Sequence, residues 1–450
     1  MKPLSHMQLP NPLSVALLGA LACLGLQASA IAAVLPVTSC ADDDASGTLR
    51  SVAATALAGD EIDMRRLSCS TITLERGQIT LLHNVSLRGP ADRSLTIVGD
   101  GMNRVLNGAS IDKPAAYLDI IDLNIAGGRY YTKSIEASGG CIAANGDVTL
   151  TNSRVDDCVA GSIHSNARGG AIYAQGTVNL ALSTVSGSNA ISFGGYQLAR
   201  GGGIYATALL CTDSTISGNG ASAARTGFDQ GGGALLAGGD LELFRCAIDS
   251  NIAGQGGGVM QLAFQGALPQ TTIENSTISG NTATQETGGV AIQCMECVPN
   301  SVKLLNSTVA FNVSASVYAA AGVSTSGNVI AQSSIVAKNQ NTSSTGARSR
   351  NSDVSAGSLK GANNLVMSTD APHDSNVIAT SSDPLLAALA DNGGPTRTHE
   401  LSAMSPALGR GNNASGFATD QRSSGFVRSV GGLTDIGAFQ RQSNSAKARR

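Results

Sequence analysis

Asp156 and Asp157 form the one adjacent carboxylate pair in the repetitive middle of this 450-residue chain, and His164 and Arg168 follow closely. Two carboxylates flanking a sugar linkage are what glycoside hydrolysis needs, one as acid and one as base or nucleophile. A polysaccharide lyase would instead want an acidic calcium cluster and a lysine or arginine base. Neither pattern recurs in the neighbouring segments, and the calcium-binding nonapeptide of secreted repeats is absent. A solvated turn explains an isolated Asp-Asp equally well, so no catalytic residue is assigned.

The cysteines offer a second kind of chemistry. Eight follow the N-terminal apolar run, an even set that suits an oxidising compartment. Cys40 and Cys69 bracket the first ordered segment and would close it. Cys141 and Cys158 start and end one repeat unit, close enough for a bond. Cys211 and Cys246 occupy core positions of successive units, where a bond or two buried thiols would fit. Cys294 and Cys297 form CMEC, read as a loop staple. A zinc site would need a second ligand pair, a redox site a helix behind the motif. No metal or cofactor is expected.

Aromatic side chains are scarce: Phe 8, Tyr 7 and no Trp. Several stand in segments read as variable loops, 189–201 and 220–231, which carry Phe193, Tyr196, Arg200, Arg225 and Phe228. These are the candidate ligand-binding residues. Rings folded back over the core are the competing reading.

What must position all of these is a repeat. Glycines preceding a strand recur at 140, 170, 203, 233, 258, 289 and 322, a step of about 30 residues that belongs to solenoids or propellers. Four columns accompany them. Val155, Val185, Ile216, Ile248, Ile278, Val309 and Ile335 form a branched apolar column. Leu150, Leu180, Cys211, Leu243, Ile273, Leu304 and Ile330 form a second. Ser153, Ser183, Ser214, Cys246, Ser276, Ser307 and Ser333 form a small polar one. Cys158, Ser188, Asn219, Asn251, Asn281, Asn312 and Lys338 form the last. Asn152, Asn275 and Asn306, at a strand corner, are expected to hydrogen-bond along the axis. Columns of this kind imply stacking. The expected fold is therefore all-β, a right-handed parallel β-helix with three short strands per rung, because parallel crossovers favour that hand. A propeller blade would need four antiparallel strands. About ten rungs at roughly 4.8 Å each give a coil near 50 Å long.

The ends read differently. Lys2 and the run LSVALLGALACLGL, then Ala28 to Ala33, describe a signal peptide over 1–33, too short in its apolar part to remain as a membrane span. Cys23 follows Ala20-Leu21-Ala22, a poor lipoprotein context. Residues 34–138 hold a cap helix, with Leu49, Val52, Ala53, Ala56 and Leu57 at helical spacing, Ser46 placed to cap it and Gly59 to end it, then irregular first rungs. Regular rungs fill 139–342, a closing segment 343–440, and a tail 441–450 whose composition predicts disorder.

The closing segment resembles the choice-of-anchor Q region of exported bacterial β-helix proteins through Asp383-Pro384-Leu385-Leu386, Asp391-Asn392-Gly393-Gly394-Pro395-Thr396, Thr398-His399, Ser405-Pro406-Ala407, Thr419-Asp420-Gln421-Arg422 and Asp435-Ile436-Gly437-Ala438-Phe439. Cys40-Ala41-Asp42-Asp43, Gly47-Thr48-Leu49-Arg50 and Gly59-Asp60-Glu61-Ile62 are similar to the CSLREA start of the same proteins. The rungs look like those of pectate-lyase-like β-helices, and Gly169–Ile172 and Gly232–Leu235 are similar to the GGAI and GGAL of chlamydial polymorphic membrane proteins. The resemblance implies architecture and export, to the outer surface or surroundings of a Gram-negative cell or its periplasm. It implies no particular activity.

A net charge of −3 gives no basic field for nucleic acid. The reading is a monomeric secreted or surface-associated binding or structural module that contacts polysaccharide or cell-surface glycan through loops on one edge. The alternative is a polysaccharide lyase or glycoside hydrolase.

Overall fold

The computed structural model describes residues 32–112, 115–225, 229–264, 266, 268–295, 301–316, 319–342 and 353–442. Residues 1–31 of the stretch read as a signal peptide, Phe228, Cys297, most of the Ser/Asn/Gly-rich stretch after Ser343 and the tail from 443 lie outside the described residues.

Chain direction and hydrogen bonding give a parallel β-helix. Three sheets run its length. Sheet I holds twelve strands, from Val34–Pro36 through Asp147–Thr151 and Thr177–Ala181 to Ser358–Ala362. Sheet II also holds twelve, including Asn124–Ala126, Arg154–Asp156, Thr184–Ser186, Thr215–Ser217, Ala247–Asp249, Thr277–Ser279, Thr308–Ala310 and Ile335–Ala337. Sheet III holds ten, including Ile142–Ala144, Ile172–Ala174, Ile204–Ala206, Ala234–Ala237 and Val259–Phe264. These are the three strands per rung that the repeat requires.

The segments read as variable loops are also largely strands. Arg129–Thr132, Val159–Ser162, Asn189–Ser192, Gly220–Ala223 and four successors make an eight-stranded sheet IV. Ala137–Ser138, Ala167–Arg168, Ala199–Arg200 and Asp229–Gln230 make a four-stranded sheet V. A rung thus runs III, I, II, IV, V and back to III. Side chains from these segments stand in fixed columns.

Inside the coil, the branched column pairs Val155 with Val185, Ile216, Ile248, Ile278 and Val309 in register, every member at most 1% exposed. Fully burying such a side chain contributes about 1.5–3 kcal/mol. The last rung departs from the expected alignment. Val309 pairs with Val336 rather than Ile335, Leu304 with Ala331 rather than Ile330, Ser307 donates its backbone N–H to Ser334 rather than meeting Ser333, and Asn312 meets Asn339 rather than Lys338. A one-residue shift moves every side chain to the other face. Tandem Ser333-Ser334 and Ile335-Val336 make the two registers equally apolar in sequence. Ile335 points outward and is still buried, because the C-terminal segment covers it with Leu401, Ile436 and Phe439.

At the corner expected to carry an asparagine ladder, Asn152 alone of the three bonds along the axis, to Asp122 at 2.6 Å, while Asn275 and Asn306 donate to the Thr419 and Asn412 carbonyls. Asn152, Asn275 and Asn306 have φ of 45°, 45° and 47°, in a column with Asp122, Leu182, Asp213, Arg245 and Ser333, all at positive φ. Asparagine is there because it tolerates the left-handed turn. The ladder runs through the inner column instead: Asn219 Nδ2 donates to Asn251 Oδ1 (3.0 Å), Asn251 to Asn281 (2.9 Å), Asn281 to Asn312 (2.9 Å), Asn312 to Asn339 (2.9 Å) and Asn339 to Asp353 (2.8 Å). Each amide also donates to a carbonyl of the sheet II strand one rung earlier, as Asn281 does to Ile248.

Three disulfides join Cys40–Cys69, Cys141–Cys158 and Cys211–Cys246, the last resolving two alternatives in favour of a bond. Cys294 is disulfide-bonded as well. At the N-terminus the helix is only Leu49–Ala53. Its cap is Thr48, not Ser46: Thr48 has extended backbone and its Oγ1 accepts the Ser51 N–H at 3.2 Å. It ends at Ala54, well before Gly59. Leu49 and Ala53 join the core, while Leu57 is exposed.

From 383 onward the chain does more than close an end. It folds back as a strap over the outer face of sheet II, along the strands from Ala247–Asp249 to Asn364–Val366. Outward hydroxyls of that sheet hold it: Thr277 donates to Gln421 Oε1 at 2.5 Å, Thr308 accepts from the Ala438 N–H at 3.0 Å, and Ser333 accepts from the Asn412 N–H at 2.7 Å. Arg397 pairs with the fully buried Asp249. The outward positions of the strands before 217 are uncovered.

Candidate functional site

The sequence-level constellation of Asp156, Asp157, His164 and Arg168 comes apart in three dimensions. Asp156 faces outward on sheet II and pairs with Arg154 at 3.2 Å. Asp157 turns the corner at φ 53° and pairs with Arg129 at 2.8 Å. His164 is exposed on the turn between sheets IV and V, and Arg168 lies on sheet V, paired with Glu136 at 3.1 Å. Each carboxylate is thus held by a different guanidinium, Asp156 on sheet II and Asp157 at its corner, and neither hydrogen-bonds His164 or Arg168.

What the rungs do bring together is an edge where sheet V meets sheet III. Register stacks Ser138, Arg168, Arg200 and Gln230, with the alanine before each of the first three turned inward. On sheet III the neighbouring outward column stacks Tyr173 on Tyr205. Their rings lie 5.5 Å apart and 14° from parallel, and the Arg168 guanidinium sits 5.0 Å over the Tyr205 ring. Arg200 donates from Nε to Gln230 Oε1 at 2.8 Å, and Gln230 donates to Gln255 at 3.0 Å. Burial raises the Tyr173 phenol above its ordinary value and lowers the Arg200 guanidinium below its own. Both groups are thus partly withdrawn from water on a strip that remains half-open.

Towards the N-terminus the strip meets a shallow hollow of about 590 Å³ lined by residues including Arg76, Gln78, Asn103, Arg104 and Tyr130. Arg104 lies 3.6 Å over the Tyr130 ring and donates to the carbonyls of Ser138 and Gly139, so it pins the edge rather than reaching out from it.

The other loop residues stand one corner further on, between sheets IV and V. Phe193 and Tyr196 are 54% and 73% exposed, and Arg225 lies 4.9 Å over the Tyr196 ring. The candidates therefore divide: Arg200 belongs to the tyrosine edge, and Phe193, Tyr196 and Arg225 to a separate ridge. Tyr173, Tyr205 and Arg168 escaped the search for ligand-binding residues because they sit in the regular part of the repeat. The signal was there in the two IYA triplets at 172–174 and 204–206.

Two further arrangements have the look of chemistry. Ser279 Oγ lies 2.7 Å from His399 Nε2, a nucleophile-and-base distance. Both are under 5% exposed beneath the strap, and His399 Nδ1 is bound to the Ala387 carbonyl, so the pair is a clasp without access for a substrate. A hollow of about 520 Å³ on the uncovered part of sheet II, lined by Asp92, Arg93, Thr96, Asn124, Ala126, Arg154, Asp156 and Thr184, mixes both charges. Among the described residues no group of three or more His, Cys, Asp or Glu is placed to hold a metal, and no helix is long and apolar enough to cross a membrane.

No protein-family model and no curated protein sequence matches the chain. Among solved structures, the crystal structure of pectate lyase Pel9A is similar over 91% of this chain and 96% of that one, with 13% sequence identity and a TM-score of 0.44.

Proposed function

We propose that this chain is an exported, adhesin-like binding module that holds a glycan along the edge formed by Tyr173, Tyr205, Arg168 and Arg200. The observation that carries the reading is the in-register tyrosine pair beside two stacked guanidiniums. Flat rings offer apolar faces to sugar C–H groups, and guanidiniums and phenols offer hydrogen bonds in fixed directions to hydroxyls or carboxylates. Rungs repeat at about 4.8 Å, so a linear chain lying along the coil axis meets equivalent groups on two successive rungs, flanked by Ala143 and Ser138 on one side and Leu235 and Gln230 on the other. Export rests on the 1–33 signal and the disulfides; the CSLREA-like opening, the choice-of-anchor Q-like segment over 343–440 and a monomeric state belong to the same reading. The lyase or hydrolase alternative gains nothing from Asp156 and Asp157, each already neutralised by an arginine.

The test is a polysaccharide panel scored for both binding and cleavage. Binding without release of reducing ends or unsaturated uronates is expected. Tyr173→Ala with Arg200→Gln should weaken it by roughly tenfold or more, the scale of one lost stacking or charge-assisted contact or somewhat above. Binding unchanged in that variant, with its thermal midpoint preserved, removes the edge from the proposal. Turnover abolished by Asp156→Asn would instead favour the enzyme.

A further inference from the structure

The corner between sheets IV and V carries an apolar ridge that the glycan edge does not use. Backbone hydrogen bonds from Ile163 to Thr132, Phe193 to Ser162 and Ala224 to Ser192 extend sheet IV by one position, so Lys133, Ile163, Phe193 and Ala224 stack on four successive rungs. Beside them stand Tyr131, whose ring lies across Gly161, and Ile135 and Tyr196. Ile135, Tyr131, Ile163, Phe193 and Tyr196 are 62%, 52%, 42%, 54% and 73% exposed. Exposed apolar side chains elsewhere, such as Met102, Ile111 and Met404, sit on separate turns. A contiguous exposed apolar strip on a soluble protein marks an interaction surface.

Charge selects the occupant. Segments 129–138, 159–168, 189–200 and 220–230 contain Arg129, Lys133, Arg168, Arg200 and Arg225 against two acids, Glu136 and Asp229. Arg129 is paired with Asp157 and Arg168 with Glu136; Lys133 projects from the ridge itself, and Arg225 lies over the Tyr196 ring. Sugar rings are met by flat aromatic faces, but Ile135 and Ile163 have none. Exposed isoleucine between aromatic rings, fringed by cations, suits insertion into the boundary of a lipid layer with anionic headgroups. We infer that this ridge docks the protein on an anionic membrane surface, with the coil axis parallel to it, as a second contact independent of the glycan edge.

Flotation of the full chain with vesicles tests this, using phosphatidylcholine alone and phosphatidylcholine with phosphatidylglycerol as the minority lipid. Flotation is expected with the anionic vesicles and little without them. Ile163→Ser with Phe193→Ser, both on exposed positions, should lower the partitioning by roughly tenfold or more, the scale set by withdrawing two apolar side chains from lipid. Lys133→Gln should weaken it less and flatten its salt dependence. No flotation with either lipid overturns the inference. So does flotation that ignores the serine pair, or that moderate salt alone abolishes, since either means adherence by charge only. Loss of self-association in the serine variant without any flotation would make the ridge a contact between copies instead. Glycan binding by the same variants stays unchanged if the two surfaces are independent, so failure here leaves the edge proposal standing.

Discussion

In the rungs from Gly203 to Gly322, each glycine before a sheet III strand faces the asparagine that ends the sheet II strand of the same turn. A Cβ built on Gly258 would lie 2.7 Å from the Gly289 carbonyl oxygen and 3.1 Å from Asn281 Nδ2; Gly233 meets Asn251 at 3.0 Å and Gly289 meets Asn312 at 3.2 Å. Earlier rungs fill the same space with different pairs, Cys141–Cys158 and then Ala171 with Ser188. Volume is thus exchanged between the two columns. The glycines were legible in sequence as markers of a turn, and the asparagines as a column. Their mutual dependence was not, because it spans residues that the repeat alone does not place face to face. Gly258→Ala is expected to lower stability by about 1–3 kcal/mol through overpacking. Adding Asn281→Ser, the smaller partner seen three rungs earlier at Ser188, should relieve the steric part while breaking the ladder. Urea unfolding of both variants checks this, and a cost for the alanine below a few tenths of a kcal/mol would mean that the ladder shifts freely.

At the scale of elements, the strap is what the sequence concealed. Its motifs were legible as a closing segment, but not that it would lie along sheet II, because the hydroxyls receiving it, Thr277, Ser279 and Thr308, are the same small polar residues that solvent-facing rungs carry. The last-rung slip has the same origin: Ile335 reads as core and is, but the core of the strap interface. His399 makes this interface sensitive to acid. Burial lowers its imidazole below the ordinary histidine value, against opposing contributions from the Ala387 carbonyl and Asp249. The neutral ring fits the site, accepting from Ser279 and donating to Ala387, with Asp249 and Arg397 the charged groups nearby. A histidine depressed in the folded state leaves stability unaffected above its unfolded value of about 6.5. Below that the unfolded chain binds the extra proton, and stability falls until the folded value is reached. Strap amides such as Gln421 and Gly437 should therefore lose hydrogen-exchange protection between about pH 6.5 and 5, ahead of carboxylate titration, and His399→Gln should flatten that loss. Protection independent of pH in this range would remove His399 as the cause.

For the molecule as a whole, stability is distributed along one dimension, since each rung touches only its neighbours. Three of the cross-links lie towards one end of that axis, and Cys294 is disulfide-bonded beyond them. Cys40–Cys69, Cys141–Cys158 and Cys211–Cys246 close loops with sequence separations of 29, 17 and 35, and all lie before the strap begins to cover sheet II at Ala247. By loop-closure entropy each is worth about 3–4 kcal/mol against the unfolded chain. The rungs beyond 247 have the asparagine ladder and the strap in addition to the disulfide-bonded Cys294, and the rungs at 141–158 and 171–188, which lack ladder asparagines, have a disulfide and a serine. The second half of the coil thus carries two supports, ladder and strap, that reduction does not remove. Reduction should accordingly loosen the coil unevenly: strands from Val34 to Thr212 lose hydrogen-exchange protection first in reductant, while Thr277–Ser279 and Thr308–Ala310 under the strap keep theirs. A single uniform drop across both halves would show that the solenoid unfolds as one cooperative unit and that the placement of its cross-links carries no local consequence.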